Sequence, residues 1–154
     1  MQQEFAYLEH YLALQQLRVS HKTSLTLSFP PDAGHYQLPP LLLIMLVENA
    51  YKHGVDNSLT QGWVRISADI RGQRLYFRCE NSHPAASSGH SRGMGLQNLR
   101  RRLQLYYGDD FVLHSQPQSD GWYAELQITM DYAEDLASSP TTQSAFNDAQ
   151  EPHL

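Results

Sequence analysis

The hydrophobic positions along this chain change period several times, and each change marks an element. Phe5, Leu8 and Leu12 recur at helical steps, with Tyr7, Tyr11 and Leu14 widening the stripe, which predicts a helix over residues 2–19. Leu25, Leu27 and Phe29 then alternate with Ser and Thr as a strand does, until Pro30 and Pro31 stop it. Residues 38–54, LPPLLLIMLVENAYKHG, return to helical spacing, and Pro39 and Pro40 suit the start of that helix. After a polar loop from Gly54 to Gly62, Val64, Ile66, Ala68 and Ile70 alternate again. A Gly72-Gln73 turn leads into Leu75, Phe77 and Cys79, so these two strands run antiparallel. Residues 82–92, SHPAASSGHSR, read as a loop. Leu96, Leu99, Leu103 and Tyr106 predict a helix that ends near Tyr107. Phe111 and Leu113 open another strand, Asp120 and Gly121 a turn, and Trp122, Ala124, Leu126, Ile128 and Met130 alternate as the last strand. The expected fold is α+β, with helices layered on one face of a mixed, mostly antiparallel sheet.

Composition adds boundaries. A chain of 154 residues, 41% hydrophobic and 18% charged, suits one domain with a sizeable core. From residue 133 the composition turns to Ser, Thr, Gln, Asp and Pro, so 133–154 is expected to be a disordered tail. That leaves residues 1–20 as a leading helix and 21–132 as the domain. A net charge of −5 without a long Lys/Arg tract argues against nucleic acid as a partner. The single cysteine, Cys79, precludes an internal disulfide and fits a reducing compartment. The longest apolar run, Leu41–Val47, is too short to span a bilayer, and MQQEF lacks signal-peptide features, so no direct membrane contact is expected.

Chemistry concentrates in two strings. At about 100° per residue, Asn49, Lys52 and His53 share one arc of their helix, while Ile44, Val47 and Tyr51 lie opposite. An amide, an ammonium and an imidazole above a buried face can wall a pocket. An amide oxygen ligates a metal without adding charge, and a cation takes a polyphosphate. Alone, the string equally describes an amphipathic helix with a solvated polar end. The second string is RGMGLQNLRRRL, residues 92–103, in which Gly93 and Gly95 lead straight into a helix. Glycines there let a backbone approach an anion, and the free N–H groups of the first turn face it. A lone Gly-x-Gly is also an ordinary turn.

Taken in this order, LVENAYKHG and GMGLQNLRRRL resemble the N box and G2 box of the GHKL ATP-binding fold. The match looks narrower still, to LytS/YehU-type sensor histidine kinases, where an acidic residue precedes the asparagine and an Asn-x-x-x-Arg-Leu string follows the second box. Here those positions are Glu48, Asn98, Arg102 and Leu103, and the resemblance covers roughly residues 1–130. It implies ATP and Mg²⁺ as cofactors, with Asn49 holding the metal and Lys52 and His53 facing the phosphates or ribose. Arg92, Gly93, Gly95 and Leu96 would complete the nucleotide-binding set. Glu48 would tune the metal or take a proton, although a carboxylate one residue off the ligand arc is as often a solvated or capping partner. Arg100 and Arg101 read as a solvated face.

The chain departs from the family at the adenine-reading Asp-x-Gly-x-Gly box. Alternation through Leu75, Phe77 and Cys79 points Asn81 inward, not Glu80, so Asn81 takes the aspartate's place, while His83 and Ala85 replace the glycines. Residues 82–92 would form a short ATP lid hinged near Gly89 and Gly93. The resemblance further implies transfer of the ATP γ-phosphoryl to a histidine on upstream dimerisation helices, of the same or a partner chain, and onward to a response-regulator receiver domain. None of His10, His21, His35, His83, His90, His114 and His153 has the acceptor's context, so the acceptor is expected outside this chain. The implied setting is the cytoplasmic part of a dimeric bacterial inner-membrane kinase. Two rivals stand beside it: a GHKL-like non-catalytic regulatory module, and a serine-kinase anti-sigma factor.

Overall fold

A computed structural model describes residues 1–18, 23–52, 62–82 and 94–132. Its helices are α1 (Gln2–Arg18), α2 (Ile44–Ala50) and α3 (Met94–Tyr107). Its strands are β1 (Thr23–Ser28), β2 (Tyr36–Gln37), β3 (Gly62–Arg71), β4 (Arg74–Ser82), β5 (Phe111–Pro117), β6 (Gly121–Thr129) and β7 (Asp131–Tyr132). The expected polar loop 54–62 (all but Gly62), the lid apart from Ser82, the tail 133–154, and His53, Arg92 and Gly93 lie outside the described residues.

Five strands form one sheet in the order β1-β3-β4-β6-β5. β1 runs parallel to β3, with Leu25 beside Val64 and Leu27 beside Ile66, and every other pair is antiparallel. A parallel pair cannot be joined by a hairpin, so the chain must cross over between them. That crossover carries α2, the helix with the asparagine. α3 is inserted in the same way between β4 and the β5–β6 hairpin. Both helices that bear candidate chemistry therefore sit in long connections of one sheet.

The period-two pattern decides what each face of that sheet does. Val64, Ile66, Leu75, Phe77, Cys79, Ala124, Leu126 and Ile128 line the inner face and are buried. Leu8 and Leu12 of α1, Leu46 and Val47 of α2, and Leu99 and Leu103 of α3 join them in one core. Each such leucine contributes roughly 1.5–3 kcal/mol by leaving water. Burial pushes the Cys79 thiol up to about 12, with Glu80 adding to the shift, so this cysteine is a small apolar filler. On the outer face, Arg78 and Tyr123 hydrogen-bond to Glu125, and Gln127 does so from the same strand. Burial alone would raise the Glu125 carboxyl; those bonds outweigh it and hold it at about 2.

α3 stops at Gly108, whose φ of +56° is open to glycine and whose N–H reaches the Gln104 carbonyl at 3.0 Å. Several elements differ from the pattern reading. α2 begins at Ile44 rather than at the prolines, because the chain first turns through Leu41 at φ +58°. Tyr7 and Leu14 do not widen the buried stripe of α1; they are 45% and 66% exposed. The β2–β7 pair, two residues per strand, is too short to show a period; it is joined by the Tyr36 and Tyr132 rings 5.0 Å apart. Among the described residues no helix is long and apolar enough to cross a membrane.

Candidate functional site

α2 presents its apolar residues to the core and its polar ones away from it. Ile44, Leu46, Val47, Ala50 and Tyr51 are buried, Asn49 is half-buried, and Glu48 and Lys52 are exposed. Tyr51 continues the helical conformation past Ala50, its N–H reaching the carbonyls of Glu48 and Val47. Its ring meets Tyr11 of α1 edge-on at 6.4 Å, which anchors the end of α2 that carries Asn49 and Lys52.

The first turn of α3 lies against this helix. A Cβ added to Gly95 would stand 3.2 Å from Asn49 Oδ1, so the missing side chain is what lets the amide lie there. Among the described residues no group hydrogen-bonds the Asn49 carboxamide. A half-buried amide with no partner among the described residues, beside the start of a helix, has a donor and an acceptor to offer a ligand. Leu96 packs against the core from the next position, while Asn98 and Arg101 are exposed. No cluster of three or more His, Cys, Asp or Glu gathers among the described residues, so a protein-built metal cage is not formed by them.

Asn81 closes the inner face at the end of β4, between Val64 and Trp122, and is 2% exposed. Its Nδ2 donates to the Ser82 carbonyl at 2.9 Å, and because a carbonyl only accepts, this orients the amide with Oδ1 turned away from that contact. The Ser82 hydroxyl takes the Trp63 N–H at 2.9 Å and ties down the same corner. Glu80 lies on the other face, opposite Arg65.

The arginine run divides by partner. Arg100 donates to the Leu113 carbonyl at 3.0 Å, so it is no purely solvated side chain. Arg102 donates to the Pro40 carbonyl at 2.6 Å and the Leu41 carbonyl at 3.5 Å, which binds α3 to the start of α2. The Leu41 N–H in turn donates to Glu4 Oε1 of α1 at 2.7 Å. Pattern reading passed over Glu4, yet it stands four residues before Leu8 and eight before Leu12, a carboxylate on the apolar stripe. His10, His35 and His114 are exposed, and His21, His83, His90 and His153 lie outside the described residues.

No family model matches the chain. An uncharacterized protein of Bacillus subtilis, YwpD, is 27% identical over 126 residues, 75% of this chain and 45% of its own length. The sensor histidine kinase BtsS of Escherichia coli is 29% identical over 120 residues, 77% of this chain and 21% of BtsS. The chain thus spans less than half the length of these curated relatives. Among solved structures, the catalytic domain of histidine kinase ThkA superposes with a TM-score of 0.58 at 16% identity, covering 79% of this chain and 87% of that one. ThkA in complex with the response regulator protein TrrA gives 0.60 at 13% identity, over 85% of this chain and 40% of ThkA. Sensor histidine kinases are thus among the sequence relatives of this chain, and its fold is that of histidine-kinase catalytic domains.

Proposed function

We propose that this domain binds Mg-ATP between α2 and the start of α3 and donates the γ-phosphoryl to a histidine on helices outside this chain. The observation that carries the reading is the Asn49 carboxamide, half-buried, without a hydrogen-bond partner among the described residues and lying against Gly95. That arrangement fits Mg²⁺, which Asn49 would hold through a neutral oxygen donor facing space that a Cβ on residue 95 would narrow. Bound Mg²⁺ supplies neutralisation of phosphate charge.

The chain's own residues do the rest by placement. Lys52 adds a cation on the same arc as Asn49, and His53 follows it. The N–H groups of Gly95 and Leu96, in the first turn of α3, are the donors offered to the phosphates, and the family resemblance adds Arg92 and Gly93, which lie outside the described residues. Asn81 offers Oδ1 to the amino group of adenine, a neutral acceptor where the family has a carboxylate. Glu48, exposed beside Asn49, is the residue placed to accept a proton from the attacking group. Catalysis of this kind is mainly positioning and charge stabilisation. The acceptor histidine belongs to upstream dimerisation helices, and the receiver domain of a response regulator takes the phosphoryl next; the solved ThkA–TrrA complex supports that partner class.

Calorimetry with and without Mg²⁺ tests the reading. The wild type should bind ATP in an Mg-dependent manner, and Asn49→Ala should lose the Mg-dependent part while keeping the same urea midpoint. Equal affinities would overturn the assignment. Incubated alone with γ-labelled ATP, the chain should stay unlabelled; with the upstream helices added, acid-labile label should appear on them. Absence of any nucleotide binding would favour the regulatory-module reading, to which the neutral Asn81 lends support.

A further inference from the structure

Three elements meet at Leu41, just ahead of the helix that carries Asn49. Its φ of +58° lies in the left-handed region, where the Cβ of an L-residue crowds the backbone and glycine is favoured. Two side chains from other helices hold it there. Glu4 of α1 takes its N–H at 2.7 Å, and Arg102 of α3 donates to its carbonyl and to that of Pro40, at 3.5 and 2.6 Å. Glu4 is 8% exposed, its second oxygen is buried without a hydrogen-bond partner, and the Met1 ammonium lies close enough to feel its charge. α2 has no device of its own to set its start, since Leu43 at its N-cap makes no side-chain bond. Arg102 stands seven positions after Gly95, about two turns along α3. The helix that touches Asn49 at one end therefore grips the root of α2 at the other.

We propose that Arg102 and Glu4 are positioning residues: by holding Leu41 left-handed they set where α2 places Asn49 against Gly95. The consequence for nucleotide rests on the Mg-ATP reading above; the placement itself does not. If Arg102 were only a surface staple, its removal would lower stability and leave the site unchanged.

The test uses the full chain and two readouts. Without nucleotide, ¹H–¹⁵N NMR follows the Asn49 side-chain amide and the Gly95 backbone amide; calorimetry then measures Mg-ATP. Arg102→Ala should shift both signals and weaken Mg-ATP by about tenfold or more, the scale on which small misplacements act. Arg102→Lys, which keeps the stem and one donor, should shift them less and in the same direction, and carries the test if Arg102→Ala does not fold. Adding Leu41→Gly to either variant should return the signals toward wild type, because glycine reaches φ +58° without the Cβ crowding that Leu41 must be held against. Glu4→Ala should mimic Arg102→Ala. Variants with lowered urea midpoints but unshifted Asn49 and Gly95 signals would overturn the proposal, and so would failure of Leu41→Gly to restore them. Should the wild type bind no Mg-ATP, the functional reading falls while the nucleotide-free signals still decide the positioning role.

Discussion

Asn49 and Gly95 touch across two helices: a methyl group on Gly95 would sit 3.2 Å from Asn49 Oδ1. This contact joins the two strings that carry the candidate chemistry, which stand 46 positions apart in the chain (95 − 49). It also sets stability against binding in a way that a substitution can read.

Gly95→Ala should separate the two. Alanine is favoured over glycine inside a helix by about 0.5–1 kcal/mol, which raises or holds stability. The new methyl crowds Asn49, whose amide must turn to make room. Urea unfolding should show no loss, while Mg-ATP affinity falls by about tenfold, a cost of about 1.4 kcal/mol. Loss of stability with unchanged affinity would contradict this.

Gly108→Ala is the complementary case. Nothing lies within 4 Å of a Cβ there, so the effect is conformational alone, from φ +56°. The variant should lose about 1 kcal/mol, the scale of placing an L-residue in the left-handed region. Mg-ATP affinity, measured where the protein is fully folded, should not change.

Asn81→Asp exchanges a donor for an acceptor beside the Ser82 carbonyl, 2.9 Å away. At neutral pH it should cost about 1–3 kcal/mol, the range for leaving a buried polar group badly paired. A protonated carboxyl can donate to that carbonyl again. The stability gap to wild type should therefore narrow as pH falls from 7 toward 4, which urea titrations at several pH values would show.

Glu125 has a carboxyl held down at about 2 against a usual 4.5, so folding favours its charged form. Its contribution is complete above about pH 4.5 and is lost as pH falls through about 2. Arg78→Met removes the principal hydrogen-bonding cation. The variant should lose on the order of 1 kcal/mol at pH 7, since Arg78 is part-exposed, and less near pH 2. Thermal unfolding at both pH values would check the sign.

Where an element depends on near neighbours, the residues alone located it. The alternation of Val64, Ile66, Leu75, Phe77 and Cys79 marked two strands and already placed Asn81, rather than Glu80, on the buried face. Helical spacing delimited α3 to Tyr107, and the apolar run ahead of Asn49 located α2 to within a few residues. Side-chain period is a property of the backbone itself, so it is written in consecutive residues.

Non-local pairing was not written there. Nothing in TSLTLS announces that β1 lies parallel to β3, a relation that places α2 in a crossover. The left-handed Leu41 has no local signature, because two side chains from other helices hold it. Tyr7 and Leu14 share the helical spacing of Leu8 and Leu12, yet only the latter two find a covering surface. Asn49 and Gly95 could be suspected singly from their boxes. Their contact exists because α2 and α3 bury leucines in the same core over one sheet, and burial against distant residues is something a local pattern does not encode.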